Sequence, residues 1–161
     1  MILIKTYTQQ ETLHLGESLG RLLPRGAIVS LVAPLGAGKT WLSKGLAKGI
    51  GGHEHDDVTS PAFTLVNEYF SDGGPTIYHI DFYRLDELTP EDFQMFDEYL
   101  TDPDAISIVE WGNKFLPSIA PEHLQVSIGF ADDEENARTF GIEIIGDRER
   151  YAEVVNQLER V

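Results

Sequence analysis

The sequence predicts an α/β domain with a central, mainly parallel sheet, antiparallel strands at its edge and helices on its faces. Apolar runs at residues 28–32 and 105–109 are typical of buried strands. Residues 123–130 and 138–145 alternate apolar and polar side chains, as antiparallel strands do. With 161 residues, the chain has room for one well-buried domain, and we expect residues 1–161 to form it.

Composition narrows the classes of protein to consider. There is no uninterrupted apolar stretch of about 18 residues and no basic leader before an apolar core, so we expect neither a membrane span nor a secretory signal. The absence of cysteine excludes disulfides and thiolate metal sites but is neutral about the compartment. A cytoplasmic location is the default expectation. Its net charge of −15 repels a phosphate backbone, so autonomous nucleic-acid binding is not expected.

The N-terminal elements precede the first buried strand. Residues 2–7 are β-prone, and residues 9–23 have an apolar face typical of a helix. Thr8 and Glu11 have the spacing of a capping box, which predicts that this helix starts after Thr8. The helix ends before the strand at residues 28–32.

The middle of the chain predicts a β-hairpin and a second buried strand, each followed by an acid. Residues 65–70 and 76–80 are separated by a Gly- and Pro-containing turn, and the second run ends in Asp81. The strand at residues 105–109 ends in Glu110. The carboxyl ends of parallel strands share an edge, so we expect both carboxylates in one crevice, although strand-end capping is the alternative role.

The remaining segments predict helices and polar loops. Thr89 has the sequence context of an N-cap for a helix, residues 112–120 form a loop or short helix, and Asp147 is expected to cap the last helix, which ends near residue 158. The histidine-containing triplet at residues 53–55 and the acidic run at residues 132–136 are interpreted as solvated loops rather than metal sites.

Residues 33–40 have the form of a phosphate-binding loop, or Walker A motif. They lie between the strand at residues 28–32 and a helix expected over residues 41–50. Gly36 and Gly38 allow the backbone amides to approach phosphate oxygens closely. The usual pattern opens with Gly, whereas this segment opens with Ala33 and Pro34, so we expect a slightly altered start of the loop.

The end of this loop supplies the charge and the metal ligand that a nucleoside triphosphate needs. Lys39 places an ammonium between the outer phosphates, and the hydroxyl of Thr40 is a ligand for Mg²⁺. The start of the following helix adds partial positive charge. The sequence therefore predicts a P-loop NTPase-like domain.

Four segments together resemble the TsaE family, also called YjeE, the small ATPase of bacterial tRNA threonylcarbamoyladenosine formation. They are residues 35–40, 60–69, 78–85 and 109–111, in the order that the family has them. The resemblance implies ATP and Mg²⁺ as cofactors and a complex of TsaD and TsaB as partner. This sequence departs from the family's usual pattern at Ala33 and Pro34, where Gly-Asp is usual, and at Ala62, where Thr is usual.

The resemblance also implies roles for individual residues. ATP would lie against Thr8, Leu35, Gly36, Ala37, Gly38, Lys39, Thr40 and Trp41, with Thr8 near the adenine. Mg²⁺ would be held by Thr40 and Glu110, and Asp81 would have a Walker B-like role. A switch-like segment is implied around residues 60–64. The catalytic residues are then Lys39, Asp81 and Glu110.

Two other functions remain compatible with the same loop. A small-molecule kinase needs an acceptor pocket and usually an Arg-rich lid, and no stretch of this sequence groups several Arg. A nucleotide-gated binding module without catalysis differs only in whether hydrolysis matters. We expect a slow intrinsic ATPase that protein partners stimulate.

Overall fold

The computed structural model describes residues 1–53, 58–59, 61, 65–71, 73–131 and 134–160. The strands are β1 (Ile2–Thr6), β2 (Ile28–Val32), β3 (Val66–Tyr69), β4 (Thr76–Asp81), β5 (Ala105–Glu110), β6 (His123–Phe130) and β7 (Arg138–Ile145). The helices are α1 (Gln9–Leu22), α2 (Lys39–Gly51), α3 (Pro90–Leu100), α4 (Leu116–Ile119) and α5 (Ala152–Leu158). The expected switch segment at residues 60–64, except Pro61, lies outside the described residues, as do residues 54–55 and 132–133 of the two polar loops.

The strands form one seven-stranded sheet in the order β1-β7-β6-β2-β5-β4-β3. Its centre is parallel, because β2 pairs in parallel with both β5 and β6, and β5 pairs in parallel with β4. Strands β3, β7 and β1 add to the two edges in antiparallel fashion. This arrangement confirms the predicted fold class, including the antiparallel hairpin formed by β3 and β4.

Two apolar cores cover the faces of the sheet. On one face, Leu42 and Leu46 of α2 belong to a buried cluster with Ile108 of β5. On the other, Phe96 of α3 packs in a second cluster with Phe82, which follows β4, and the two rings meet edge to face. Burial on both faces explains why β2 and β5 are nearly continuous apolar runs.

Helix α1 starts after Thr8 as predicted, but its capping bonds and the starts of two other helices differ from the sequence prediction. Helix α2 starts at Lys39, before the predicted residue 41, so the last residues of the loop are helical. Thr8 caps α1 by accepting the Glu11 N–H at 3.1 Å, but Glu11 reaches back to the Tyr7 N–H, one residue before the cap. The prediction for Asp147 is wrong. Its carboxylate accepts the Glu149 N–H in a local turn, and α5 starts only at Ala152.

Glycines bring the backbones of α1 and α2 into direct contact. A Cβ added to Gly45 would lie 2.2 Å from the Leu13 carbonyl oxygen, and one added to Gly49 would lie 2.1 Å from the Glu17 carbonyl oxygen. Leu13 of α1 lies against Gly45 of α2, and Glu17, one turn later in α1, lies against Gly49, one turn later in α2. The two helices therefore run in the same direction. The cap of α1 therefore lies at the same end of the molecule as the start of α2.

Gly45→Ala should destabilise the protein by about 2 kcal/mol, because the new methyl group meets backbone rather than a flexible side chain. The gain of about 1 kcal/mol in helix propensity is too small to offset this overpacking. Urea unfolding measures the difference, with Lys44→Ala in the same helix as a control expected to change stability by less than about 0.5 kcal/mol. Equal stability of Gly45→Ala and the parent would show that α1 and α2 separate easily.

Candidate functional site

A cleft of about 420 Å³ lies where β4 and β5 end, next to the loop that follows β2. Of the residues predicted for the site, those lining the cleft are Leu35, Gly36, Gly38, Lys39, Thr40, Trp41, Asp81 and Glu110. Thr8 and Ala37 do not line it. The fold thus brings the loop and both predicted carboxylates to a single opening at the carboxyl edge of the parallel strands.

Two glycines give the loop its shape. Gly36 has φ 76° and Gly38 has φ 105°, and such positive values favour glycine because a side chain would be strained there. Gly38 caps α2, and the first amides of a helix have no acceptor within the helix itself. These amides and the helix dipole favour an anion at the start of α2.

Ala33 is accommodated at the start of the loop. Its methyl group is buried and its φ is not positive, so this position does not require glycine. The carbonyls of Ala33 and Pro34 accept hydrogen bonds from Lys39 Nζ at 3.3 and 3.1 Å. Ala33 and Pro34 therefore fit the start of the loop without a glycine at its first position.

Lys39 is the cation of the cleft, and it is largely buried with 9% of its surface exposed. Its Nζ lies 4.7 Å from the centre of the Trp111 ring, a cation–π distance. Burial lowers the pKa of Lys39 below the ordinary 10.5, while the carboxylates of Glu110 and Asp81 act in the opposite direction. Phosphate oxygens beside Nζ would further favour the ammonium form.

The two carboxylates lie side by side, because Asp81 and Glu110 are register partners on neighbouring parallel strands. Both are buried, and Asp81 Oδ1 accepts the Tyr83 N–H at 2.9 Å. With the exposed Thr40 hydroxyl they offer the hard oxygen ligands that Mg²⁺ prefers. Within the described part of the chain, no group of three or more His, Cys, Asp or Glu forms a metal cage. A few protein oxygens suit Mg²⁺, which keeps waters and phosphate oxygens as its other ligands.

Trp111 and Tyr83 form an aromatic wall beside these carboxylates, with ring centres 5.2 Å apart. Trp111 has a left-handed backbone with φ 59°, which turns the chain sharply after β5. Lys114 holds the segment after Asp81 in place by donating to the carbonyls of Phe82, Tyr83 and Leu85. From the sequence, Trp111 was identified only within the family-like segment at residues 109–111, and Lys114 was not identified.

Arg138, also missed from the sequence, connects the distant strand β7 to the loop. Its Nε donates to the Ala37 carbonyl at 3.1 Å, and its guanidinium lies over the Phe130 ring. Arg138 lines a small cavity of about 120 Å³ together with Trp41. Thr8 lies in an adjoining depression, which Trp41 also lines. The structure therefore places Thr8 beside the loop.

Comparison with known proteins gives consistent results. The family described as "Threonylcarbamoyl adenosine biosynthesis protein TsaE" matches residues 6–140. The tRNA threonylcarbamoyladenosine biosynthesis protein TsaE of Bacillus subtilis is 35% identical over 136 residues, which cover 84% of this chain and 82% of that protein. Its namesake in Streptomyces coelicolor is 34% identical over 144 residues, covering 88% of this chain and 95% of that protein.

The fold comparison adds a solved structure. The crystal structure of YdiB from Bacillus subtilis aligns with a TM-score of 0.75 and 28% sequence identity, covering 99% of this chain and 94% of that chain. Among the described residues, no helix is both long enough and apolar enough to cross a membrane.

Proposed function

This chain belongs to the TsaE family of threonylcarbamoyladenosine biosynthesis proteins, and we propose that it is a Mg²⁺-dependent ATPase that supports this modification of tRNA. One observation carries the proposal. The phosphate-binding loop, with Lys39 and Thr40, and the register pair of Asp81 and Glu110 line one cleft. Carboxylates beside a phosphate-binding loop can hold Mg²⁺ and orient the attacking water, and hydrolysis of a bound triphosphate needs both.

Four residues of the cleft have assigned tasks in this proposal. Lys39 and the amides at the start of α2 bind the phosphates and stabilise the charge that develops on them. Thr40 and Glu110 would hold Mg²⁺, which supplies charge neutralisation on the phosphate oxygens. Asp81, fixed by the Tyr83 N–H, orients a water or a ligand of the metal shell. Positioning and charge thus account for most of the catalysis, so slow intrinsic turnover is expected.

The nucleoside end of ATP would lie toward Thr8. The depression there is lined by Trp41, whose ring offers a stacking surface, and by the amide side chains of Gln9 and Asn136. It adjoins the loop on the side of Arg138. The close packing of α1 on α2 holds Thr8 at this place.

Residues 1–161 would act as one ATPase domain in the cytoplasm, through protein partners. A net charge of −15 opposes direct binding of a tRNA backbone, which favours action on a TsaD and TsaB complex. ATP would set the affinity for that complex, with the switch-like role that the resemblance implies for residues 60–64. Hydrolysis of ATP would then reset the TsaD and TsaB complex for another cycle.

Reconstituted threonylcarbamoyl transfer to tRNA tests this function. With TsaD, TsaB and the activated threonylcarbamoyl donor, we expect many cycles of modification only when this protein and ATP are present. The Lys39→Ala variant should support about one cycle, as the reaction without this protein does. Equal multi-turnover product in all three reactions would contradict the proposal. ATP-dependent phosphorylation of a small acceptor would instead establish the kinase function.

A further inference from the structure

His79 is a buried histidine at the edge of the candidate site. It lies in β4 with 1% of its surface exposed. Neither of its ring nitrogens has a hydrogen-bond partner among the residues that the structure describes. Burying unpaired polar nitrogens is unfavourable, so a histidine at this position needs an explanation.

The register of the sheet directs His79 toward the acidic pair. His79 and Asp81 are two residues apart on β4 and therefore face the same side of the sheet. His79 is the register partner of Ile108, and Glu110 lies two residues further along β5 on that side. Its Nε2 is 3.7 Å from Glu110 Oε2, just beyond hydrogen-bonding distance.

A second buried histidine shows what a purely structural role looks like in this chain. His123 is 2% exposed, and its Nδ1 lies 2.9 Å from the Ala120 carbonyl oxygen. That ring ties a local turn together and has a partner. His79 has no such backbone partner within the described chain, and its Nε2 instead lies 3.7 Å from a carboxylate oxygen proposed to belong to a Mg²⁺ ligand.

We propose that His79 is a positioning residue that donates a hydrogen bond from Nε2 to Glu110 and so orients this carboxylate toward the cleft. A shift of about half an ångström in Glu110 brings the two atoms within bonding distance. The bond would use Oε2 of Glu110 and so fix the orientation of the carboxylate. Carboxylates that bind metals are commonly held by such outer hydrogen bonds. The inference rests on the proposed function, because it assigns His79 to the same site.

Two substitutions of His79 distinguish the effect of losing the Nε2 hydrogen-bond donor from the effect of losing the imidazole ring. In His79→Gln the side-chain amide reaches the place of Nε2, whereas in His79→Asn it is too short to reach Glu110. His123→Asn is a matched control, since its amide can still donate to the Ala120 carbonyl. With a non-hydrolysable ATP analogue bound, Mg²⁺ is titrated and followed by the fluorescence of Trp41 and Trp111, which both line the cleft.

We expect His79→Asn to raise the Mg²⁺ concentration at half-maximal signal about 10-fold. His79→Gln should stay within about threefold of the parent, and His123→Asn should not change this concentration. Affinity for the analogue without Mg²⁺ should be the same in all variants, since the phosphate loop is unchanged.

Other outcomes would contradict the role of His79, the proposed function or both. An unchanged Mg²⁺ midpoint in His79→Asn, or equal impairment of His79→Asn and His79→Gln, would overturn the role of Nε2 and leave the proposed function intact. If the parent itself binds the analogue without any response to Mg²⁺, both proposals fail. If the variants do not fold, nitrogen-15 NMR of the unsubstituted protein shows which ring nitrogen of His79 carries a proton. A protonated Nε2 is expected, and an unprotonated one would overturn the inference.

Discussion

Lys39→Ala should weaken binding of Mg-ATP by roughly 100-fold, the largest effect on affinity expected from a single substitution in the cleft. The side chain supplies a cation on a largely buried site, where charge-assisted hydrogen bonds to phosphate are worth about 3 kcal/mol. The loop amides remain, so weak binding should persist. Isothermal titration calorimetry with Mg-ATP measures the change.

Lys48→Ala is the matched control, because Lys48 lies on the same helix and pairs with Glu17 rather than lining the cleft. It should bind Mg-ATP like the parent. Lys39 also donates to the Ala33 and Pro34 carbonyls, so circular dichroism should confirm that Lys39→Ala is folded. Unchanged affinity in the folded variant would place the nucleotide elsewhere.

The parts of the fold that the sequence predicts correctly depend on local patterns. Strand β2 has the predicted bounds because a run of five residues, largely apolar, stands between turn residues, and β6 and β7 follow their alternating side chains. The meeting of Asp81 and Glu110 was also predictable, since both follow apolar runs and parallel strands end at a common edge.

The features that escaped prediction join residues far apart in the sequence. Arg138 contacts the loop across 101 positions, and Lys114 reaches the Tyr83 carbonyl across 31. No local periodicity encodes such contacts. The glycines of α1 and α2 did leave a signal, a spacing of four residues in each helix at Gly16 and Gly20 and at Gly45 and Gly49. Asp147 failed as a cap because its carboxylate already closes a nearer turn.

Glu110→Gln should lower kcat for ATP hydrolysis about 100-fold while the affinity for ATP at saturating Mg²⁺ changes less than about fivefold. Glutamine preserves the shape of a residue that is 2% exposed but removes the negative charge that we propose holds the metal. The phosphates keep Lys39 and the amides of the loop, which explains why binding is largely retained. Phosphate release and calorimetry on the same preparation separate the two quantities.

Asp81→Asn should show the same pattern with a smaller loss of kcat, because an amide can still accept the Tyr83 N–H and orient a neutral water. Asp102→Asn is the control. Asp102 lies outside the cleft; its Oδ2 accepts the Tyr78 hydroxyl and its Oδ1 accepts the Asp104 N–H. Asparagine keeps one acceptor oxygen at this distant turn, so the substitution should leave hydrolysis unchanged. Parental turnover in both Glu110→Gln and Asp81→Asn would show that these acids only cap strand ends. A loss of binding equal to the loss of turnover would mean instead that the carboxylates hold the nucleotide itself.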